Sequence, residues 1–307
     1  MIRILKLTAA AGVGLLLYFY ALSFALHTGW AVSVKLRGNA DACPWYRIAR
    51  FQPDLNRFDA LYNKATGSID LVKSEPDLRQ VSSPRGLFWI RNDELPAGSI
   101  GYLFAEHDWL AETNETELPQ EGDVVIDVGA HVGVFAAKAL KRGAAKVIVV
   151  EPDPLNVECL RRNFTKEIDS GRVAIVSDAA WNKTETLTFH LGKSSAWNSL
   201  RGGESEESID VRARPLDDIV NELGLDRVDY IKVDVEGVEA EVLEGAVETM
   251  RRFRPTLMVD THHGSDGWER APQILRTAHE DYEAVCGPCQ VSEVDGSRVV
   301  PHVMFYR

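Results

Sequence analysis

Residues 124–151, VVIDVGAHVGVFAAKALKRGAAKVIVVE, restrict what this chain can become more than any other stretch. Val124 to Val128 is apolar except for Asp127, the pattern of a strand buried on both faces. The turn Gly129-Ala130-His131-Val132-Gly133 follows, then a helical pattern to about Lys141. A second apolar run, Val147 to Val150, ends on Glu151. Strand, small-residue turn, helix and strand predict a βαβ unit with an acid at the second strand's carboxyl end.

That turn suits a nucleoside. Glycines let backbone N–H groups approach an anionic group, and a helix N-terminus adds partial positive charge. The spacing is not the dinucleotide G-x-G-x-x-G, because His131 stands where the middle glycine belongs. Asp127, two residues before Gly129, would repel a phosphate and attract an ammonium, while Glu151 can accept from both hydroxyls of a ribose. A ligand with ribose, ammonium and carboxylate but no phosphate is S-adenosylmethionine. A ligand-free turn leaves both acids unexplained. A nicotinamide oxidoreductase on the same architecture is disfavoured by Asp127 and by the missing glycine.

The 307 residues suffice for one large core plus an extra segment, and a net charge of -12 argues against a nucleic-acid partner. Four cysteines are too few for a disulfide scaffold. Cys286-Gly-Pro-Cys289 has redox spacing, but loop and strand follow it, so the pair reads as a local turn. Leu7 to Leu26 is twenty residues without a charge, enough to span a bilayer as one helix. Residues 1–37 are therefore expected to be a single-pass membrane anchor and its flank. Arg3 and Lys6 before it and Lys35 and Arg37 after it do not orient it. Cofactor supply places the following domain on the cytoplasmic side.

Residues 38–121 read as a cap, with a strand at Phe88 to Arg91 and a short helix at Gly101 to Leu110. That helix carries Glu106, His107 and Asp108, read as a solvated face, with a substrate role for Glu106 or His107 as the alternative. Residues 122–307 form the main domain. Its third strand ends at Asp178-Ala179, where an acid can accept from an adenine amino group. Further on, YIKVDVEGVEAEVLEGA (230–246) runs from a strand into a helix, with Asp234 and Glu236 at the junction. Val238, Val242, Ala246 and Met250 recur every four residues and predict one buried helical stripe. Glu241, Glu244 and Glu248 fall off it and read as solvated. The next strand delivers Asp260-Thr261-His262-His263 to the same sheet edge, where ligands of open parallel sheets bind.

On VVIDVGAHVGVFA, VVEPDP, PLDDIV and above all YIKVDVEGVEAEVLEGA, the chain from about Gly101 to Arg307 resembles the FkbM family of S-adenosylmethionine-dependent methyltransferases. The resemblance implies an α/β, Rossmann-like class I methyltransferase fold, seven-stranded and mostly parallel, with the last strand antiparallel. It implies O-methylation of a sugar, glycolipid or other small-molecule hydroxyl. Carried over, Asp127, Gly129, Ala130, His131 and Gly133 hold the methionine end, Glu151 the ribose, and Asp178 with Ala179 the adenine. Asp234 and Glu236 face the methyl or the acceptor. A base is wanted for the hydroxyl proton, with His262 the first candidate and Asp234 the second. A divalent ion bridging Asp234 and Asp260 is the less favoured alternative, so no metal is assigned. The rival from another class is a membrane-tethered protein that binds the cofactor without catalysis.

Overall fold

The computed structural model describes residues 25–26, 28–40, 42–92, 98–190, 208–261, 267–292 and 296–307. Its central sheet has seven strands: β1 (Val124–Val128), β2 (Lys146–Val150), β3 (Val173–Val176), β4 (Tyr230–Val233), β5 (Thr256–Asp260), β6 (Ala284–Cys286) and β7 (Val303–Tyr306). Their spatial order is β6-β7-β5-β4-β1-β2-β3. β1 pairs in parallel with β2 and β4, β2 with β3, and β4 with β5. Only β7 runs against its neighbours β5 and β6. The chain winds outward from β1 to β3 and returns on β1's other side. The carboxyl ends of β1 and β4 thus flank the switch point where such sheets hold ligands.

Around the sheet lie α1 (Trp45–Thr66), α2 (Gly98–Thr113), α3 (Val134–Lys141), α4 (Pro154–Asn163), α5 (Thr165–Asp169), α6 (Leu216–Glu222), α7 (Glu239–Glu244), α8 (Val247–Phe253) and α9 (Gly267–Ala278). Side-chain alternation splits the core between the two faces. Ile126, Val128, Ile231 and Val233 pack with Val242, Met250 and Leu275. Val125 and Tyr230 pack with Leu110, Phe135, Ala136 and Ala139. Each fully buried residue of this size contributes roughly 1.5–3 kcal/mol. Asp127 and Lys232 alternate onto the second face, toward α2 and α3.

Local chemistry sets the helix ends. Asp153 caps α4, its carboxylate accepting from Leu155 N and Asn156 N, with Pro154 in the first turn. The stripe Val238, Val242, Ala246 and Met250 is buried as expected. It belongs to two helices rather than one, broken at Gly245. The break lets this backbone approach the Trp181 carbonyl so closely that a Cβ at Gly245 would overlap it. Glu241 and Glu244 are held by Arg270 at 2.8 and 2.7 Å.

The expected strand and helix of residues 38–121 are present and longer, as Gly86–Arg91 and α2. In the α1–α2 pair, Phe58 sits edge-on to Trp109 and Tyr102. Strands Asp70–Ser74, Leu78–Ser83 and Gly86–Arg91 form an antiparallel sheet. Asn163 of α4 exchanges two hydrogen bonds with the Trp89 backbone, and Arg91 makes a buried ion pair with Asp153. Val81, Ile90 and Phe104 share one apolar cluster with Val132 of the β1–α3 turn. The N-terminal segment therefore roofs that turn.

Two expectations are corrected. Glu106 and His107 are not a solvated face but are buried. Burial, then the nearby Lys138, holds the His107 imidazole well below its ordinary pKa. Cys286 and Cys289 are not merely a turn, because Cys289 is disulfide-bonded to Cys43, 246 residues away. Nothing in the local spacing of Cys289 shows a partner that distant. The chain closes on two strands, Val299–Pro301 and β7, separated by the buried His302. Among the described residues no helix is long and apolar enough to cross a membrane. Residues 7–24 of the expected anchor lie outside the described residues.

Candidate active site at the carboxyl edge of the sheet

β4 and β1 pair with Lys232 opposite Asp127. Both are buried, Lys232 at 4% exposure and Asp127 at 0%. The Lys232 ammonium lies 3.4 Å from Asp127 Oδ1 and 3.1 Å from Asp234 Oδ2, and donates to the Gly129 carbonyl at 3.2 Å. The Asp127 contact is ionic rather than a well-directed hydrogen bond, and neither Asp127 oxygen has a hydrogen-bond partner among the described residues. Burial pushes the Asp127 carboxyl up from its ordinary pKa, and Lys232 opposes the shift. Burial disfavours the Lys232 ammonium, but Asp234 and Asp127 outweigh it and its pKa is raised. The ammonium that Asp127 meets here is the protein's own. Counting both acids as ionised, two carboxylates and one ammonium leave a single negative charge.

The β1–α3 turn departs from expectation in its amides. Gly129 N and Ala130 N donate to the Val150 carbonyl at 3.0 and 3.3 Å, and Gly133 N to the Ala130 carbonyl at 2.8 Å. His131 N donates to Glu151 Oε2 at 2.8 Å. These N–H groups close the turn onto the end of β2 rather than aim at an anion. His131 and, across the crevice, Glu236 hold left-handed backbone, with φ of 51° and 56°. Such strain costs about 1–3 kcal/mol each and concentrates at functional turns. Gly129 passes so near the Asp234 carbonyl that a Cβ would overlap it.

Glu151 is buried, and Asp153 N donates to its Oε1 at 3.0 Å. Burial, then the Asp153 charge, pushes its carboxyl up to about 7. Asp178 accepts from Arg214 Nε at 2.6 Å. Ala179 pairs with Ala213 and lies in an apolar cluster with Phe189 and Val211. A cavity of about 280 Å³ opens beside this end of the sheet, lined by Pro152, Pro154, Ser177, Val211 and Arg212 among others. Asp127, Gly129 to Gly133, Glu151, Asp178, Asp234 and Glu236 thus share one edge of the sheet. His262 and residues 191–207 lie outside the described residues.

Two residues of this edge escape a sequence reading. Lys232 had a signal, being the one charge in the buried strand Tyr230–Val233. Glu239 had none. Its Oε1 accepts from Gly237 N at 3.0 Å and Val235 N at 3.3 Å, which holds the turn after β4. Burial, then Asp260, pushes its carboxyl up to about 7.

A doubly wound parallel sheet with an antiparallel seventh strand, and acids at the ends of β1, β2 and β4, defines a Rossmann-like enzyme of the methyltransferase class. The chain belongs to the methyltransferase FkbM domain family, whose model matches residues 127–284. It is 31% identical over 216 residues to 31-O-demethyl-FK506 methyltransferase FkbM of Streptomyces tacrolimicus, covering 60% of this chain and 76% of that one. It is 29% identical to the 2-O-methyltransferase NoeI of Sinorhizobium fredii, covering 45% and 63%. To the hexuronic acid methyltransferase AglP of Haloferax volcanii it is 27% identical, covering 49% and 60%. The chain thus spans less than two thirds of NoeI and AglP. Among solved structures it is similar to the methyltransferase FkbM of Methylobacillus flagellatus, with a TM-score of 0.46, 16% identity, and coverage of 85% and 62%.

Proposed function

We propose that this protein transfers a methyl group from S-adenosylmethionine to a hydroxyl of a sugar, glycolipid or other small-molecule acceptor. The observation that carries this reading is Asp127, a fully buried carboxylate at the switch point of the sheet that is ion-paired with Lys232 and has no hydrogen-bond partner among the described residues. The cofactor's ammonium fits the single negative charge left on Asp127, Lys232 and Asp234. Glu151 in its ionised form accepts from the ribose hydroxyls, and the glycine turn lets the chain pass close to the ligand. Relatives whose names specify a 2-O-methyltransferase and a hexuronic acid methyltransferase support a hydroxyl-bearing acceptor.

When bound, the cofactor supplies a methyl on a sulfonium, which leaves as a neutral thioether. The protein's part is placement and proton removal. Lys232 fixes Asp127 and Asp234, and Glu239 holds the turn that carries Asp234 and Glu236. As the acceptor oxygen bonds to the methyl carbon, its proton passes to a base. His262 is the first candidate for that base and Asp234 the second. Methyl-labelled cofactor is incubated with the protein and hydroxylated sugars or a cell extract, and labelled products are identified by mass. Cofactor binding by calorimetry without any labelled product would favour the non-catalytic binding protein instead.

Residues 7–26 are proposed to anchor the chain. Cofactor supply favours the cytoplasmic face, whereas the Cys43–Cys289 disulfide favours an oxidising compartment. Protease protection of sealed vesicles, with the N-terminal mass intact, decides both anchor and side. A mature chain starting near Leu26 would refute the anchor.

A further inference from the structure

Beside the methyl-transfer edge is a second cluster that the reaction above does not use. Glu106 of α2, Asp260 at the end of β5 and His302 just before β7 converge, each offering one ligand atom within 4.8 Å of the others. They are 4%, 3% and 0% exposed, respectively. The expected ion site paired Asp260 with Asp234; the side chains the fold brings onto Asp260 are Glu106 and His302.

The hydrogen bonds around His302 define what this cluster can hold. His302 Nδ1 is 2.8 Å from Gln290 Oε1. A carbonyl oxygen only accepts, so Nδ1 donates to Gln290 and Nε2 is the nitrogen turned to the acids. Nε2 lies 2.5 Å from Glu106 Oε1, with the Asp260 carboxylate alongside. Two buried carboxylates beside one imidazole gather donor atoms of the kind that bind a divalent ion. The buried Lys232, whose ammonium also feels Glu106, makes its ion pairs with Asp127 and Asp234. Glu239 adds a further acid close to Asp260.

We propose that Glu106, Asp260 and His302 bind a divalent first-row transition ion of the Zn²⁺ or Mn²⁺ type. One imidazole nitrogen and two carboxylate oxygens suit these ions better than Ca²⁺ or Mg²⁺, which take oxygen ligands, or Cu⁺, which takes sulfur. Gln290 supplies the outer hydrogen bond that orients a ligating histidine. Ligand atoms on one ion stand about 3–4 Å apart at bond lengths of about 2.0–2.2 Å, so Glu106 and His302 would separate by about 0.5–1.5 Å from their 2.5 Å contact. The ion would tie the α2 cap to the end of β5. This assignment is independent of the methyl acceptor.

The full chain, purified without an affinity tag, is stripped with chelator and titrated with Zn²⁺, Mn²⁺ or Mg²⁺. Bound metal is counted after gel filtration, and thermal midpoints are recorded. The expected result is one equivalent of Zn²⁺ or Mn²⁺ with a raised midpoint, and neither with Mg²⁺. Glu106→Gln and His302→Gln should each weaken binding by about 10- to 100-fold, whereas His279→Gln, at a half-buried histidine outside the cluster, should leave it unchanged. Should a variant fail to fold, Mn²⁺ paramagnetic resonance on the wild type reads the bound ion directly, with nitrogen coupling from His302. A wild type that retains no ion, or a folded Glu106→Gln that retains a full equivalent, overturns the assignment. The imidazole would then carry a second proton and pair with Glu106.

Discussion

Lys232 and Asp127 face each other across the β4–β1 pairing, with the ammonium 3.4 Å from the carboxylate and both side chains buried. The pair follows from period-2 alternation in two neighbouring strands, and each partner makes the other's charge tolerable. Removing one member of a buried ion pair costs far more than the pair contributes.

Lys232→Met should therefore destabilise the fold by about 3–5 kcal/mol, since Asp127 and Asp234 lose their shared cation. Adding Asp127→Asn should restore part of that loss. Urea denaturation of both variants is the measurement. A loss below about 1 kcal/mol for the single change would show that the three groups do not form a charge unit.

Gly129 and Gly171 have nearly the same left-handed backbone, with φ of 73° and 76°. A Cβ at Gly171 meets nothing within 4 Å, whereas at Gly129 it overlaps the Asp234 carbonyl. Gly171→Ala should cost only the conformational strain, about 1–2 kcal/mol. Gly129→Ala should cost about 1–3 kcal/mol more and weaken cofactor binding. Equal losses in the two variants would mean that β1's turn and β4's end can move apart freely.

Glu151 titrates near 7 in the unliganded protein because burial and then Asp153 oppose its charge. A raised carboxyl contributes stability that is full below its ordinary value of 4.5 and is lost as pH rises through about 7. Binding to ribose hydroxyls selects the ionised form, so cofactor affinity should fall about tenfold per pH unit below 7. Glu151→Gln should remove that slope and weaken binding at pH 8 by roughly 10- to 150-fold. Glu239 also titrates near 7, so the difference between the two curves is what belongs to Glu151. Calorimetry giving identical curves for wild type and variant would remove Glu151 from the cofactor site.

Cys43 and Cys289 close a loop of 246 residues, while Cys159 and Cys286 are buried thiols. Burial pushes Cys286 up to about 12, so it stays a thiol and is unreactive. Alkylation of the native protein should label none of the four, and alkylation after unfolding should label only Cys159 and Cys286. Cys43→Ser should lower stability by about 2–5 kcal/mol. A peptide map with Cys286 joined to Cys289 would contradict the pairing.

What the sequence by itself determined was the α/β alternation and the edge on which the site stands. The apolar runs 147–150 and 257–259 are continuous and 124–128 is broken only by Asp127, as doubly buried parallel strands require. Parallel strands deliver their carboxyl ends to one side, so Asp127, Glu151, Asp178, Asp234 and Asp260 could be placed together by order alone. Lys232 was legible in principle, as a charge inside a buried strand. Only the tertiary structure decided which groups pair. Glu106 meets His302 across 196 residues, and Cys43 meets Cys289 across 246. It also decided that the amides of the first turn close on Val150 and Glu151 instead of facing a ligand. Periodicity reports which face a residue lies on, because burial is a property of local pattern. Partner choice depends on which distant segments the packed sheet brings within a few ångströms, and no local pattern encodes that.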